Sequence, residues 1–176
     1  IENFPMLKYI RQKKNIQHPH RLEYHGQLSE ERGIITLVNA FNQLCQTYPS
    51  LELILIGTSR TENFHKKLMQ TIHKNNRIKY ISQVPHNEIW AYLEEAHIGI
   101  LPVDDVELFQ YNTPTKLFEY MATDCGIVAS ELPPIKGFCN QSASWSKPGD
   151  MKSLENAIRY YIDNPNSYNE HKKNNL

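Results

Sequence analysis

The residues best suited to chemistry in this chain are Lys116 and Glu119, three positions apart behind the dipeptide Thr113-Pro114. This pattern predicts the start of a helix, because threonine can cap a helix and proline suits the first helical position, where its missing N–H costs nothing. The first amides, those of Thr115 and Lys116, then have no partner within the helix. Free amides at a helix start beside a lysine can bind an anion.

Apolar runs on either side of this helix indicate where it lies in a fold. Residues 98–103 precede it and residues 126–130 follow it, and both runs are almost wholly apolar. Together they predict a strand, a loop, the helix and a second strand. Open α/β sheets bind ligands just beyond the carboxyl ends of their strands, and the helix start is predicted to lie at such a position.

The two faces of this helix differ in polarity. At about 100° per residue, one side is apolar and is formed by Leu117, Phe118, Met121 and Ala122. Lys116 and Glu119 fall on or near the other side, which predicts that the charged pair lies outside the core. A plain alternative stays open: an exposed ion pair worth roughly a few tenths of a kcal/mol, with no ligand.

The rest of the chain alternates predicted strands and helices, as is typical of βαβ units around a parallel sheet. The segment between residues 131 and 141, which contains Pro and Gly, is predicted to be looser. We expect an α/β fold with a Rossmann-like parallel sheet of about six strands and helices on both faces. The predicted strands are residues 22–25, 51–56, 78–84, 98–103, 127–130 and 142–146; besides the helix at Lys116, the predicted helices are residues 34–48, 62–73, 88–96 and 151–162.

Composition divides the chain of 176 residues into three parts, of which one has the size of an ordinary domain. Residues 1–20 include a basic cluster at residues 11–14 and are predicted to be a linker. Residues 21–163 are predicted to form the domain itself. Residues 164–176 are predicted to be a polar tail that is frayed or cut.

Composition also argues against several classes of protein. Lys+Arg and Asp+Glu each total 19, so the formal charge is zero and nothing favours binding to nucleic acid or to an acidic membrane. No apolar run approaches the roughly 20 residues needed to cross a bilayer. The three cysteines are widely spaced and the histidines are scattered. This argues against a disulfide framework or a metal site, and favours a reducing cytoplasm.

The common phosphate-binding motifs do not occur in this sequence. Gly26 and Gly57 each stand alone after a predicted strand, so there is no Gly-x-Gly-x-x-Gly turn, and there is no Gly-x4-Gly-Lys-Ser/Thr loop. Asp104 and Asp105 follow a strand as the acids of a receiver domain would. A receiver also needs acids after its first strand, and this chain has none there, so we interpret the pair as a solvated loop, with contact to a substrate as the alternative.

Four sequence segments follow one another in a characteristic order between residues 21 and 166. They are YHGQLSEERG at 24–33, LILIG at 53–57, IKYISQVP at 78–85 and PTKLFEYM at 114–121, and a KPGD turn follows at 147–150. The ordered set resembles the C-terminal, donor-binding half of the family 4 (group 1) glycosyltransferases, which have the GT-B fold. The fourth segment matches that family's Pro-x-Lys-Leu-Phe-Glu-Tyr-Met signature.

The resemblance implies a nucleotide-sugar donor, such as a UDP- or GDP-sugar, and transfer with retention of the anomeric configuration. It implies no metal, because cations and helix dipoles would neutralise the leaving diphosphate. A glycan or lipid-linked acceptor would bind to an N-terminal domain that this chain lacks, so the chain alone is expected to be inactive or nearly so. The expected setting is polysaccharide biosynthesis in the cytoplasm or at its membrane face, with membrane contact only through that other half.

The same resemblance implies roles for particular residues. Arg32 and Lys116 would hold the diphosphate, and Glu119 would accept hydrogen bonds from the ribose hydroxyls. Residues 81–84 would line the base, and Asn112 and Thr113 would lie beside the sugar. The expected donor contacts as a whole are Gly26, Gln27, Gly57, Ile81, Ser82, Val84, Tyr111, Asn112, Thr113, Thr115 and Leu117.

Three positions depart from the family pattern. Tyr111 stands where many members have the first of two glutamates, Gln27 where arginine is usual, and Arg32 where lysine is usual. Arg32 compensates in part for Gln27, since arginine can bind phosphate through two nitrogens. These departures keep a second class open: a non-catalytic relative that binds a nucleotide or a protein partner. An epimerase or phosphorylase of the same fold would need a signature that we do not find.

Overall fold

All strands of the central sheet are parallel, and their order is β3-β2-β1-β4-β5-β6. The structure is a computed structural model and describes residues 16–174. The strands are β1 Arg21–His25, β2 Glu52–Ile56, β3 Ile78–Ile81, β4 Ile98–Leu101, β5 Gly126–Ser130 and β6 Ala143–Ser146. The predicted α/β fold with a six-stranded parallel sheet is confirmed.

Helices cover both faces of this sheet. Successive strand residues point to opposite faces, so Leu53 and Leu55 pack with α1, α2, α7 and α8, whereas Ile54 and Ile56 pack with α3, α5 and α6. No helix among the described residues is long and apolar enough to cross a membrane. The helices are α1 Ile34–Thr47, α2 Glu62–Ile72, α3 His86–Glu95, α4 Glu107–Tyr111, α5 Thr115–Ala122, α6 Pro133–Cys139, α7 Met151–Asp163 and α8 Pro165–Lys173.

The order of the strands reverses between β1 and β4. From β1 the chain adds β2 and β3 on one side, and it then crosses back to add β4, β5 and β6 on the other. At such a switch point the loops that leave the two neighbouring strands diverge and open a crevice at the carboxyl edge of the sheet. The loops that start at Gly26 and Pro102 leave β1 and β4 at this point.

The third strand is shorter than the sequence predicts. It ends at Ile81, which pairs with Ile56, the last residue of β2. Beyond Ile56 the chain turns at Gly57, where φ is 142°, so β3 has no strand to pair with after Ile81. The predicted strand residues up to Val84 therefore form a loop, and α3 begins at His86.

The segment predicted to be loose contains helix α6. Pro133 and Pro134 occupy its first turn, where their missing amides are tolerated. Ile135 and Cys139, four residues apart, are both buried against the core. The prediction treated the prolines as breakers, whereas here they begin the helix.

The end of the chain also differs from the frayed polar tail that was expected. Helix α8 packs its Tyr168 against Gly126, where a Cβ atom would lie 2.4 Å from the tyrosine ring. The Tyr168 hydroxyl donates to the carbonyl of His97 at 2.7 Å. Lys172 is buried and pairs with Asp124 at 3.2 Å. A few buried side chains thus fix a segment whose average composition is polar.

Most of the predicted linker at residues 1–20, including the basic cluster at residues 11–14, lies outside the described residues. Its described part starts at Ile16, whose amide donates to Oδ1 of Asn169 at 3.1 Å. Nδ2 of Asn169 donates back to the carbonyl of Ile16 at 3.0 Å. Residue 16 is therefore tied to helix α8.

Candidate functional site

Two neighbouring cavities open at the carboxyl edge of the sheet. The first, of about 400 Å³, lies among the loops after β1, β2 and β3 and the start of α3. The second, of about 200 Å³, lies between α4, the start of α5 and Arg32. They meet near Gly26, which lines the first cavity: a Cβ atom there would lie 3.2 Å from Nζ of Lys116, which lines the second.

Helix α5 begins one residue later than predicted. Pro114 is at the N-cap position with an extended backbone (φ −64°, ψ 128°), and Thr115 is the first helical residue. Thr113 therefore does not cap the helix, and its hydroxyl instead donates to the carbonyl of Pro134 at 3.4 Å. Within residues 16–174, the amides of Thr115 and Lys116 have no hydrogen-bond partner. The first turn thus presents two donors to the second cavity.

Lys116 is buried, which corrects the prediction that it lies outside the core. Only 7% of it is exposed, and its Nζ donates to the Tyr24 hydroxyl at 3.5 Å and lies 4.7 Å from the centroid of that ring. Burial, followed by the positive charge of Arg32, lowers the pKa of Lys116 to about 8. A buried cation of this kind is stabilised when an anion binds beside it.

Arg32 supplies a second cation at the same place. Its guanidinium lies 5.2 Å from the centroid of the Phe109 ring, and it lines the second cavity together with Thr115 and Lys116. Arg32 follows two glutamates, Glu30 and Glu31, in the sequence, and Glu30 pairs with Lys67. Two cations and two free amides therefore converge on one small cavity, an arrangement suited to a multiply charged anion.

Glu119 is also buried, against the prediction, and its side chain is only 11% exposed. Its Oε2 accepts from Nε2 of His25 at 2.7 Å, and its Oε1 accepts from Nε2 of His86 at 2.8 Å. Burial alone would raise the pKa of Glu119, but the hydrogen bonds and charges of the two histidines outweigh it and hold the pKa below its usual value. The carboxylate is therefore ionised at neutral pH.

His25 was not identified from the sequence. It is the last residue of β1, and its Nδ1 lies 3.1 Å from Oε1 of Glu23, which is fully buried. Burial alone would lower the pKa of His25, but the carboxylates of Glu23 and Glu119 outweigh it and raise the pKa to about 9. The alternation of Glu23 and His25 along a strand end was a signal that both point to the same face.

The two single glycines have different structural roles. At Gly57 a Cβ atom would lie 1.8 Å from the carbonyl oxygen of Gly26, so this glycine lets the loops after β1 and β2 approach each other. Gly26 makes room for the Lys116 ammonium. Both line the first cavity and both have positive φ, of 142° and 110°, which other residues rarely adopt.

The predicted base-side contacts are only partly brought together. Gln27 and Val84 line the first cavity. Ile81 does not; its carbonyl accepts the amide of Gly57 at 2.9 Å. Ser82 is exposed and lies outside the cavity lining, where its neighbour Gln83 takes part instead.

The predicted sugar-side contacts lie at the second cavity. Asn112, which is exposed, and Thr113 line it. Tyr111 ends α4 and is 81% exposed. Leu117 is fully buried in the core, so its side chain is turned away from the cavities, and its amide donates to the Pro114 carbonyl at 3.0 Å.

Arg60 and His86 also line the first cavity and were missed. Arg60 follows Gly57 by three positions, and His86 begins α3 after the turn that follows β3. Their place after the carboxyl ends of β2 and β3 was the available signal. Within residues 16–174, no group of three or more His, Cys, Asp or Glu is arranged to hold a metal ion.

These features define a Rossmann-like α/β domain with an anion-attracting edge at its switch point. The family model of glycosyl transferases group 1 matches residues 8–176, and the chain belongs to this family. A relative in sequence is the amylovoran biosynthesis glycosyltransferase AmsK of Erwinia amylovora, 28% identical over 142 residues. The match covers 79% of this chain but 35% of AmsK, so the chain spans about a third of that relative.

Solved structures show the same fold. The C-terminal domain of the glycosyl transferase group 1 family protein LpcC from Francisella tularensis has a TM-score of 0.76 at 16% identity, over 95% of this chain and 91% of that domain. Anabaena Alr3699/HepE in complex with UDP and glucose has a TM-score of 0.75 at 19% identity, over 90% of this chain and 42% of HepE. The fold is thus one half of a GT-B glycosyltransferase.

Proposed function

We propose that this chain binds the nucleoside diphosphate part of a nucleotide-sugar, as the donor domain of a retaining glycosyltransferase. The acceptor, a glycan or a lipid-linked sugar, would bind to a second domain, and without it this chain would transfer little or no sugar. The observation that carries the proposal is the buried Lys116, which lies with Arg32 at the free amides of α5 and next to the ionised Glu119.

The diphosphate would lie in the second cavity. Breaking the anomeric bond leaves additional negative charge on the departing nucleoside diphosphate, and a catalyst must stabilise that charge. Arg32, Lys116 and the amides of α5 are fixed donors aimed at this place. Preorganised donors of this kind each supply about 2.7–4 kcal/mol of transition-state stabilisation. The protein's own cations would do this work without a metal.

The nucleoside would lie in the first cavity. Its volume of about 400 Å³ accommodates a base and a ribose. Glu119 would accept a hydrogen bond from the ribose at the mouth of this cavity, where His86 now lies. Gln83 and Val84 would contact the base, and Asn112 and Thr113 would lie beside the donor sugar, with Tyr111 near the acceptor side.

The comparisons suggest which ligand to test first. HepE, whose fold is similar, was solved with UDP, with UDP and glucose, and with UDP-glucose. A uridine diphosphate donor is therefore our first choice, ahead of a GDP-sugar. The relative AmsK is named for amylovoran biosynthesis, so we propose polysaccharide biosynthesis, in the cytoplasm or at its membrane face, as the setting.

A non-catalytic nucleotide-binding relative is the second candidate. Gln27 and Tyr111 favour it, because they put an amide and a phenol where the family more often has an arginine and a glutamate. The two candidates share the nucleotide site and differ in turnover. Sugar transfer by a protein that also contains the acceptor domain would distinguish them.

The test of the shared site is calorimetric titration of the chain with UDP, GDP and ADP and with their parent nucleosides, with and without magnesium. We expect one diphosphate to bind at least about tenfold more tightly than its nucleoside, a difference typical of charge-assisted hydrogen bonds. Magnesium should not change that ratio. Equal affinity for each diphosphate and its nucleoside would contradict the proposed diphosphate site.

A further inference from the structure

Four titratable side chains form a hydrogen-bonded row from the sheet to the mouth of the first cavity. Glu23 and His25 lie on β1, Glu119 on α5, and His86 is the first residue of α3. His25 is in the middle, with Nδ1 3.1 Å from Oε1 of Glu23 and Nε2 2.7 Å from Oε2 of Glu119. Nε2 of His86 meets the other oxygen of Glu119, Oε1, at 2.8 Å. The two carboxylate oxygens of Glu119 thus have different partners.

Exposure increases along this row. The Glu23 side chain is 0% exposed, that of His25 8%, that of Glu119 11% and that of His86 72%. The inner three side chains are enclosed by protein, whereas His86 can turn away into solvent. His86, which lines the first cavity, covers Oε1, and His25 covers Oε2. A ligand that displaces His86 would therefore gain access to Oε1.

When Glu23 and Glu119 are both ionised, the geometry requires both ring nitrogens of His25 to carry hydrogen. A neutral imidazole has one N–H and one lone pair, and an ionised carboxylate only accepts hydrogen bonds. With a carboxylate at each nitrogen, a neutral ring would set its lone pair against a carboxylate oxygen. The imidazolium form donates to both, in agreement with a His25 pKa raised by Glu23 and Glu119 to about 9 against the effect of burial.

Neighbouring elements fix the position of the ring. The Tyr120 ring of α5 packs edge-on against His25 at 5.5 Å between centroids, and its hydroxyl donates to the carbonyl of Glu23 at 3.2 Å. The titratable groups that face His25 are therefore Glu23 from β1 and Glu119 and Tyr120 from α5. His86 of α3 reaches it through Glu119.

We propose that His25 is a positioning residue for ribose recognition: it holds Oε2 of Glu119, so that Oε1 alone faces the first cavity and accepts a ribose hydroxyl. This role rests on the proposed function, in which Glu119 binds the ribose. Glu23 acts on Glu119 only through His25, which it keeps in its doubly protonated form. The ribose takes the place that His86 holds on Oε1.

The test measures how strongly the chain discriminates UDP from 2′,3′-dideoxy-UDP, because the ratio of these two affinities isolates the ribose hydroxyls from the diphosphate. We expect a ratio of about tenfold or more for the wild type, as for one hydrogen bond to a charged group. In His25→Phe the ratio should fall to about threefold or less. The matched control is His73→Phe, an exposed histidine after α2 at the opposite edge of the sheet.

A second variant separates positioning from mere support of the fold. Glu23→Gln keeps the shape of the side chain and leaves His25 in place, but it removes a carboxylate that raises the pKa of His25. The wild-type ratio should be constant between pH 6 and 8, since His25 stays protonated. In Glu23→Gln the ratio should fall as the pH rises through this range. His25→Gln replaces His25→Phe if the phenylalanine variant does not fold.

Nitrogen-15 spectra of the ligand-free chain give a readout that needs no nucleotide. His25 should show two protonated ring nitrogens at pH 7, and Glu23→Gln should lower the pH at which one is lost. A His25 whose Nε2 carries no hydrogen would overturn the positioning role whatever the nucleotide does.

The nucleotide affinities separate a failure of the positioning role from a failure of the proposed function. If the wild type discriminates and the His25 variants discriminate equally well, the positioning role is wrong and the proposed function stands. If the wild type binds no diphosphate, or binds both ligands equally, ribose recognition by Glu119 is wrong, and the role of His25 falls with it.

Discussion

Two lysines are buried among the described residues, and they are held in opposite ways. Lys172 of α8 is 3% exposed and lies 3.2 Å from Oδ2 of Asp124, a carboxylate that is itself buried. Lys116 of α5 is 7% exposed, and its ammonium donates to a neutral hydroxyl, that of Tyr24, at 3.5 Å. Within residues 16–174, Lys116 forms no salt bridge; the positive charge of Arg32 lowers its pKa, and the charges of Glu23 and Glu119 each raise it by less.

These two lysines show how a buried charge with a structural role can be distinguished from one with a functional role. A buried pair such as Lys172 with Asp124 satisfies its own charges and fixes α8 to the turn before β5. A buried cation that forms no salt bridge is unfavourable for the unliganded fold. It is retained where a ligand brings the opposite charge, which is why perturbed groups gather at functional sites.

The largest expected effect is on stability, at Lys172. In Lys172→Met the Asp124 carboxylate stays buried without its partner, and we expect the free energy of unfolding to fall by about 3–5 kcal/mol. Urea denaturation followed by circular dichroism measures it. Lys173→Met, at the exposed neighbouring position, is the control and should change little. A loss below about 1 kcal/mol at Lys172 would remove the contrast between the two lysines.

The next effect is on binding, at Lys116. Lys116→Met removes the buried cation, and we expect UDP affinity to fall by about 10- to 100-fold while uridine affinity stays the same. The free energy of unfolding should not fall, because methionine fills the space without a desolvated charge. Calorimetry with UDP and with uridine measures the two changes in affinity, and Lys173→Met is again the control. Equal losses for UDP and uridine would show that Lys116 supports the fold and not the diphosphate.

The sequence predicted the fold and the position of Lys116 and Glu119 on a helix after β4, but not the burial of these charges. Alternating apolar runs determine strands and helices locally, and the position of Pro114 and Lys116 after β4 follows from that order. What covers Lys116 and Glu119 comes from far along the chain: Tyr24 is 92 residues from Lys116, and His25 is 94 residues from Glu119. Helical periodicity shows which residues share a face of α5. It does not show that the end of β1 covers the polar face.

Helix α8, which like α4 and α6 was not predicted, shows a similar cause. In α8, three buried residues, Tyr168, Asn169 and Lys172, lie in a segment whose average composition is polar. Each is satisfied by a partner elsewhere, as Asn169 is by Ile16, 153 residues away. Composition averages over such residues, and a single sequence gives no sign of the partners that make their burial favourable.

The smallest effect is the pH dependence of diphosphate binding, which tests the Lys116 side of the comparison in the unmodified chain. With a pKa of about 8 in the unliganded chain, Lys116 is mostly protonated at pH 7 and mostly neutral at pH 9. A bound diphosphate favours the protonated form, so the UDP affinity should be nearly constant up to pH 7.5 and about tenfold weaker at pH 9. The measurement is the ratio of UDP to uridine affinity between pH 7 and 9. Any titration of the nucleoside affects both ligands and cancels in this ratio.

The Arg32 variant decides whether this pH dependence belongs to Lys116. Arg32 is one cause of the lowered Lys116 pKa, so in Arg32→Gln the pKa of Lys116 should rise and the decline in affinity should begin at a higher pH. The affinity at pH 7 should also fall, because one cation of the site is lost. In Lys116→Met the decline should disappear. A decline that keeps the same midpoint in both variants would belong to another group, and the unpaired state of Lys116 would then have no role in binding.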